Sequence, residues 1–401
     1  MTKKSLSLTR RAFLKAACAT GAGSVMTLKN FQALASDEAV VVPTRHFGKT
    51  GTEVPVLGFG TSLHVAFSQL LLRQAVKWGV TYWDTANTYM GGNSEKAIGK
   101  YFGKYPEDRK KVFLVTKSHA WNADGRTRDL NLSLERMQTD YVDLYFAHGV
   151  RNVDELDAQT KSWAQKSKSE GRIRFFGFST HSNMEECLLG AAGLGWIDGI
   201  MMRYNFRLMH ADRMKQAVGA CAKAGIGLTA MKTQGGGQVQ TNTASELELT
   251  GRFLQKGFTD AQAKLKAVWQ EPQIASICSE MPNMTLLMSN VAAAVNKIRL
   301  SAQDMQLLRK YAQETRSDYC AGCSDICESA VAAEVPIGDV MRYLMYARSY
   351  GNHKKASDHF NKIPQKLREQ MIHLDYASAE QKCPRKMAIG KLLRDAVEEL
   401  S

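Results

Sequence analysis

No apolar run in the 401 residues approaches the 18 or more that a membrane-spanning helix needs. Proline is scarce, with 8 against 31 glycines, so the punctuation is mostly glycine, as in α/β architecture rather than a Pro-rich linker. No fixed-period repeat recurs, which excludes a solenoid. Acid is short relative to base, and the formal charge is +14. There is nevertheless no recognised nucleic-acid module and no basic stripe interleaved with aromatics, so a nucleic-acid partner is not expected. What is present is an ordinary globular composition, 44% hydrophobic, which excludes disorder. The length suits two or three domains of ordinary size, or equally one barrel of about 250 residues plus a smaller appendage.

The charge is unevenly placed. Residues 1–35 hold six basic side chains and no acid, while 301–401 hold 15 basic and 14 acidic residues. Thr9-Arg10-Arg11-Ala12-Phe13-Leu14-Lys15 resembles the twin-arginine export motif, and Ala33-Leu34-Ala35 supplies a small-x-small cleavage site. The resemblance implies a signal peptide over 1–35, a twin-arginine export machinery as partner and a periplasmic protein exported already folded. That route is often taken by proteins loaded with a cofactor in the cytoplasm.

Buried-strand patterns fall at Val54–Gly60, Thr81–Ala86, Lys111–Ser118, Val142–Gly149, Ile173–Thr180, Ile197–Asn205, Ile226–Thr233 and Ile274–Met281. Helical spacing fills the intervals, with glycine stops at Gly79, Gly171 and Gly225. Eight such units predict an α/β fold, a (β/α)8 TIM barrel over 43–297, with an open doubly wound sheet as the alternative. Residues 300–401 change character and predict a small α-helical domain, with helices at Leu300–Tyr319, Ile337–Tyr350 and Arg385–Leu400.

The strand ends carry the polar candidates. Asp84 ends the second strand, Tyr89 follows in a loop, Lys117 ends the third and His148 the fourth. A barrel brings such ends to one mouth. A tyrosine with pKa near 10 needs a neighbouring cation to act in acid–base catalysis at neutral pH. Lys117 can supply it, Asp84 can hold Lys117, and His148 can bind a substrate oxygen. Each has a bland reading too: a structural ion pair, a rim aromatic, a core histidine. WDTANTY, FLVTKS and LYFAH, in this order, resemble the Asp, Tyr, Lys and His tetrad of aldo-keto reductases, as do RHFGKTGTEVPVLGFGTS and NSEKAIGK. The resemblance implies hydride transfer between a nicotinamide cofactor, NADP or NAD, and a small carbonyl or alcohol substrate. Tyr89 would be the general acid.

The same resemblance places Ser179 and Thr180 where the family holds the nicotinamide amide, although Thr180 stands for an Asn and Met201 for a Gln. In AMKTQGGG (230–237), Lys232 and Gly235 would lie against cofactor phosphates, and Asn290 would close the adenosine loop. Residues 279–290 contain no Lys or Arg for a 2′-phosphate. Substrate specificity is expected from loops around His64, Trp121 and Arg203.

Of eight cysteines, Cys18 leaves with the signal, and Cys187, Cys221 and Cys278 read as buried small hydrophobes. The remaining four, Cys320-x2-Cys323-x3-Cys327 and a distant Cys383-Pro384, resemble ferredoxin-type ligation of a [4Fe–4S] cluster. SDYCAGCSDICESA and KCPRKMAIGKLL also resemble the tails of exported aldo-keto reductases with ferredoxin-like ends. This implies one iron–sulfur cluster in the C-terminal domain and a redox partner for it. Zinc and disulfides are the rival readings of the same thiols. A second function class stays open: an exported electron-transfer or interaction module with a catalytically idle barrel.

Overall fold

The computed structural model describes residues 40–62, 68–237, 239 and 242–401. The export-like segment with Cys18, and His64, lie outside the described residues. An antiparallel hairpin of β1 (Thr44–His46) and β2 (Glu53–Pro55) leads into β3 (Leu57–Gly60), β4 (Tyr82–Asp84), β5 (Phe113–Ser118), β6 (Val142–His148), β7 (Ile173–Thr180), β8 (Gly199–Arg203), β9 (Gly227–Met231) and β10 (Ile274–Glu280). Strands β3 to β10 pair in parallel with their neighbours, and β10 pairs with both β9 and β3, so the sheet closes. This is the closed barrel, not the open sheet.

Alternation along each strand builds two layers. One set of side chains fills the lumen, including Tyr82, Phe113, Leu144, Phe146 and Met201. The other packs under the surrounding helices, with Trp83, Tyr145, Phe176 and Ile200. Phe47, fully buried at the start of the hairpin turn, plugs the end where the strands begin. A Cβ at Gly199 or Gly227, the first residues of β8 and β9, would stand 2.8 or 2.6 Å from its ring, so these glycines make room for the plug. One end is thereby sealed, and the other is left for chemistry. Gly79, Gly171 and Gly225 take φ of +74°, +70° and +73°, the left-handed turn that ends a helix and frees the chain for the next strand.

Helix Ala302–Glu314 buries Leu307, Leu308 and Tyr311 in the barrel's outer core, where Tyr311 stacks on Phe206 at 5.9 Å. Its apolar face thus belongs to the barrel rather than to the unit that follows. A second core, with Val340, Leu344, Phe360, Met371, Leu393 and Leu400, joins helices Ile337–Arg348, His353–Phe360, Gln365–Met371, Ala377–Lys382 and Ile389–Leu400. The last starts four residues later than its pattern predicts, because Pro384 and the left-handed Lys386 (φ +55°) interrupt the chain. Among the described residues no helix is long and apolar enough to cross a membrane.

Candidate active site

The open barrel end gathers the four strand-end residues. Asp84 closes β4, Lys117 stands one residue from the end of β5, and His148 closes β6. Lys117 Nζ donates to Asp84 Oδ1 and to the Thr85 carbonyl, both at 2.6 Å, and Lys117 and Asp84 are nearly inaccessible. The ammonium lies 4.8 Å from the Tyr89 ring centroid. Tyr89 meets His148 edge-on at 5.9 Å, and His119 stacks on His148 at 4.0 Å.

The loop carrying Tyr89 is held by an unusual backbone. Met90, Gly91 and Gly92 take φ of +52°, +63° and +89° in succession, and Gly92 caps helix Asn93–Lys104. Arg136 braces this turn, donating to the Asn87 carbonyl at 2.8 Å and to buried Glu95 at 3.2 Å. A Cβ on Gly92 would run into its guanidinium. Beneath it, Ser94 bonds Thr61 at 2.6 Å and Thr85 at 2.8 Å, tying the helix start to the strand ends.

Electrostatics sort the groups. Burial, then Asp84, Cys278 and Glu280, push the Tyr89 phenol well above its usual range, so it keeps its proton. Burial also raises the Asp84 carboxyl, with Lys117 and the Cys278 thiol opposing. Burial and the nearby His119, Lys117 and Arg342 push His148 far down, so the imidazole is neutral, and its Nδ1 has no hydrogen-bond partner among the described residues. The arrangement can donate a proton from Tyr89 and leave a phenolate beside an ammonium.

The expected cofactor contacts are more scattered. Ser179, buried at the end of β7, accepts from the Gly149 N–H at 3.2 Å and keeps its own O–H to donate. Thr180 spends its hydroxyl on the Ser182 carbonyl at 2.8 Å. Met201 packs into the lumen. Gly235 (φ +58°) gives its carbonyl to Arg207 Nε at 2.6 Å, and a Cβ there would stand 2.8 Å from Phe206. A Cβ on Gly237 would stand 2.7 Å from the Ser349 carbonyl, so the glycine loop packs on the C-terminal unit. Asn290 donates to Ser279 at 3.1 Å on the barrel's flank. Lys232 points into the mouth, 4.9 Å from the Tyr346 ring.

Several mouth residues escape sequence reasoning. His119 and His181 carry only weak signals, one two residues after Lys117 and the other inside STHS. Arg342 and Tyr346 reach the mouth from helix Ile337–Arg348 of the C-terminal unit. Cys278, expected as a small hydrophobe, packs partly buried against the lumen core and lies beside Asp84. Trp121 is 66% exposed, whereas Arg203 is buried and bonds the carbonyls of Cys320 and His181.

Cys320, Cys323, Cys327 and Cys383 converge on one small recess bounded by Ile326, Met341, Pro384 and Met387. Burial and the other thiols push Cys323 up to about 11 and Cys327 to about 12. None of the seven described cysteines forms a disulfide. Among the described residues no three of His, Cys, Asp or Glu are placed to hold a single metal ion.

Residues 57–311 match the sequence profile of the aldo/keto reductase family. An aldo-keto reductase of Fusarium vanettenii is 26% identical over 235 residues, 47% of this chain and 62% of that protein. L-galactose dehydrogenase of Arabidopsis thaliana is 30% identical over 154 residues, 34% and 48% of the two chains. Methylglyoxal reductase YeaE of Escherichia coli is 35% identical over 119 residues, 29% and 40%. The chain thus spans roughly half the length of these relatives. An aldo-keto reductase of Bacillus halodurans shares the fold at TM-score 0.57 and 21% identity, over 67% of this chain and 96% of its own. The Klebsiella pneumoniae enzyme, solved with NADP and acetate, gives 0.56 and 24%, over 68% and 96%. With more than half of its length matched by the family profile, the chain belongs to the aldo/keto reductase family.

Proposed function

We propose that this protein is an exported oxidoreductase that interconverts a small carbonyl compound and its alcohol, using a nicotinamide cofactor and Tyr89 as proton donor. The observation that carries the reading is the convergence of Asp84, Tyr89, Lys117 and His148 at one barrel mouth. A bound dihydronicotinamide would supply the hydride. The protein's own part is positioning and proton transfer. Neutral His148 donates an N–H to the carbonyl oxygen and fixes it beside Tyr89. Tyr89 Oη gives that oxygen its proton, and Lys117 stabilises the phenolate left behind. Asp84 holds the ammonium in place through a bond too buried for water to compete.

The residues present fit the nicotinamide end better than the phosphate end. Ser179 has a free O–H for the carboxamide, and Asn290 and Lys232 are proposed for the adenosine and phosphate groups. Thr180 and Gly235 have already committed their polar groups within the protein. With no Lys or Arg in 279–290, little selects a 2′-phosphate, and NADP and NAD are expected to serve about equally. The same sparse grip favours a second reading, a redox module with an idle barrel. Tyr89→Phe decides between them: carbonyl reduction should fall about a thousandfold or more while NADPH binding persists. Equal rates in the two proteins would sink the first reading.

The four cysteines are proposed to hold a [4Fe–4S] cluster, loaded before export through the twin-arginine route to the periplasm. The recess supports this. A single zinc ion draws thiolates to within about 3.8 Å of one another, given Zn–S bonds of about 2.3 Å. A cluster is wider and suits thiols spread around a cavity.

A further inference from the structure

Helix Ile337–Arg348 supplies side chains to the barrel mouth. Arg342 and Tyr346 stand one turn apart on it. Arg342 donates to Tyr346 Oη at 3.3 Å and to Asp339 at 2.7 Å. Two lysines from other elements converge on the same phenol: Lys232, after β9, lies 4.9 Å from its ring centroid, and Lys355, on helix His353–Phe360, lies 5.2 Å away. Lys232 has φ +55°, a left-handed conformation costly for a non-glycine residue, so strained backbone aims this ammonium inward. Burial alone would raise the Tyr346 phenol, yet Lys232, Arg342 and Lys355 pull it down to about 7. The potential there is strongly positive.

Four buried nitrogens around the mouth have no hydrogen-bond partner among the described residues: His148 Nδ1, His181 Nδ1, Arg203 Nε and Arg342 Nε. The arginine atoms can only donate, and an imidazole nitrogen can donate too. The charge of Arg342 acts on both histidines, and Arg203 donates to the His181 carbonyl. Of the carboxylates nearby, Asp84 is bound to Lys117, Asp339 is shared by Arg342 and Arg151, and Glu280 ends β10. Lys117, Arg203, Lys232, Arg342 and Lys355 outnumber them. Unsatisfied donors together with surplus positive charge suit a ligand bearing several anionic acceptor oxygens, which the lone oxygen of a neutral aldehyde cannot provide.

We propose that the substrate carries a carboxylate beside its carbonyl, making it a small oxo acid or the hydroxy acid formed on reduction. Arg342, Lys232 and Lys355 hold the carboxylate, and the carbonyl oxygen faces Tyr89 and His148. The reacting end rests on the carbonyl chemistry proposed above, while the anion subsite stands without it. The C-terminal unit is then half of the substrate clamp.

The test is calorimetric titration of the full-length Tyr89→Phe protein, which cannot complete the reaction, with glyoxylate, neutral glycolaldehyde, inorganic phosphate and NADPH. Glyoxylate should bind about tenfold or more tighter than glycolaldehyde. Adding Arg342→Gln should erase that preference, and Arg342→Lys should restore part of it. Should Arg342→Gln fail to fold, Lys355→Gln at a half-exposed position should give a smaller loss in the same direction. Equal binding of glyoxylate and glycolaldehyde overturns the proposal. So does an Arg342→Gln effect confined to NADPH and phosphate, which would assign these cations to the dinucleotide. Glyoxylate binding with no NADPH-dependent turnover in the wild type supports the subsite and removes the carbonyl chemistry. Turnover of neutral aldehydes with no glyoxylate preference does the reverse.

Discussion

Tyr89 and Tyr346 are two phenols at one barrel mouth, and their surroundings pull them in opposite directions. Burial and the nearby Asp84, Cys278 and Glu280 keep Tyr89 protonated. Against the same burial, Lys232, Arg342 and Lys355 bring Tyr346 to about 7. Tyr350 and His359 also face it, at ring separations of 6.2 and 6.3 Å. Near-ultraviolet absorbance should therefore show one tyrosine ionising near pH 7, absent from Tyr346→Phe. The folded-state value lies below that of the unfolded chain, so ionisation of Tyr346 stabilises the fold at alkaline pH. That contribution is lost as pH falls from about 10 to about 7. The tetrad was legible because Asp84, Lys117 and His148 fall at or beside the ends of three consecutive strands, with Tyr89 in the loop after the first. Arg342 and Tyr346 were not, since a helical pattern shows which face is apolar but not which neighbour the polar face meets.

At the scale of elements, the turn Tyr89–Gly92 determines where the acid stands. Gly92 combines a left-handed backbone with close approach to Arg136. Gly92→Ala should strain that turn by about 1–2 kcal/mol. Because it displaces Tyr89, it should lower turnover more than stability, by tenfold or more in kcat on the order seen for misplaced catalytic groups. Thermal melting and kinetics on the same samples would check this, and a melting shift with kcat unchanged would contradict it. All eight barrel strands were visible in the sequence as short buried runs, although the first, Val54–Gly60, is divided between the end of β2 and β3. Helices His353–Phe360, Gln365–Met371 and Ala377–Lys382 were missed because six to eight residues give too few turns for a periodic pattern to emerge.

Over the whole molecule, two cores meet at the active end of the barrel. The cysteine recess joins them: Arg203 of β8 donates to the Cys320 carbonyl at 3.2 Å, and the Asn183 N–H donates to the Gly322 carbonyl at 2.7 Å. Protein purified without oxygen should carry about four iron and four sulfide per chain. Cys383→Ser should lose iron and loosen the C-terminal helices first, seen as a separate low-temperature transition. A colourless, zinc-loaded protein would contradict the cluster. The charge of +14 also looks different at this scale. Six of those charges lie in residues 1–35 and one in 301–401, leaving seven for the barrel and its approach. Among the described residues, the functionally telling charge is the group of cations gathered at the mouth.

On the proposed reading, this mouth passes hydride to a carbonyl carbon while Tyr89 protonates its oxygen. The most direct measurement supplies NADPH deuterated at the transferring position together with an aldehyde panel that includes glyoxylate, and analyses the alcohol by mass spectrometry. One deuterium is expected on the former carbonyl carbon with the wild-type protein and almost none with Tyr89→Phe. Alcohol without deuterium, or equal labelling by both proteins, would contradict it.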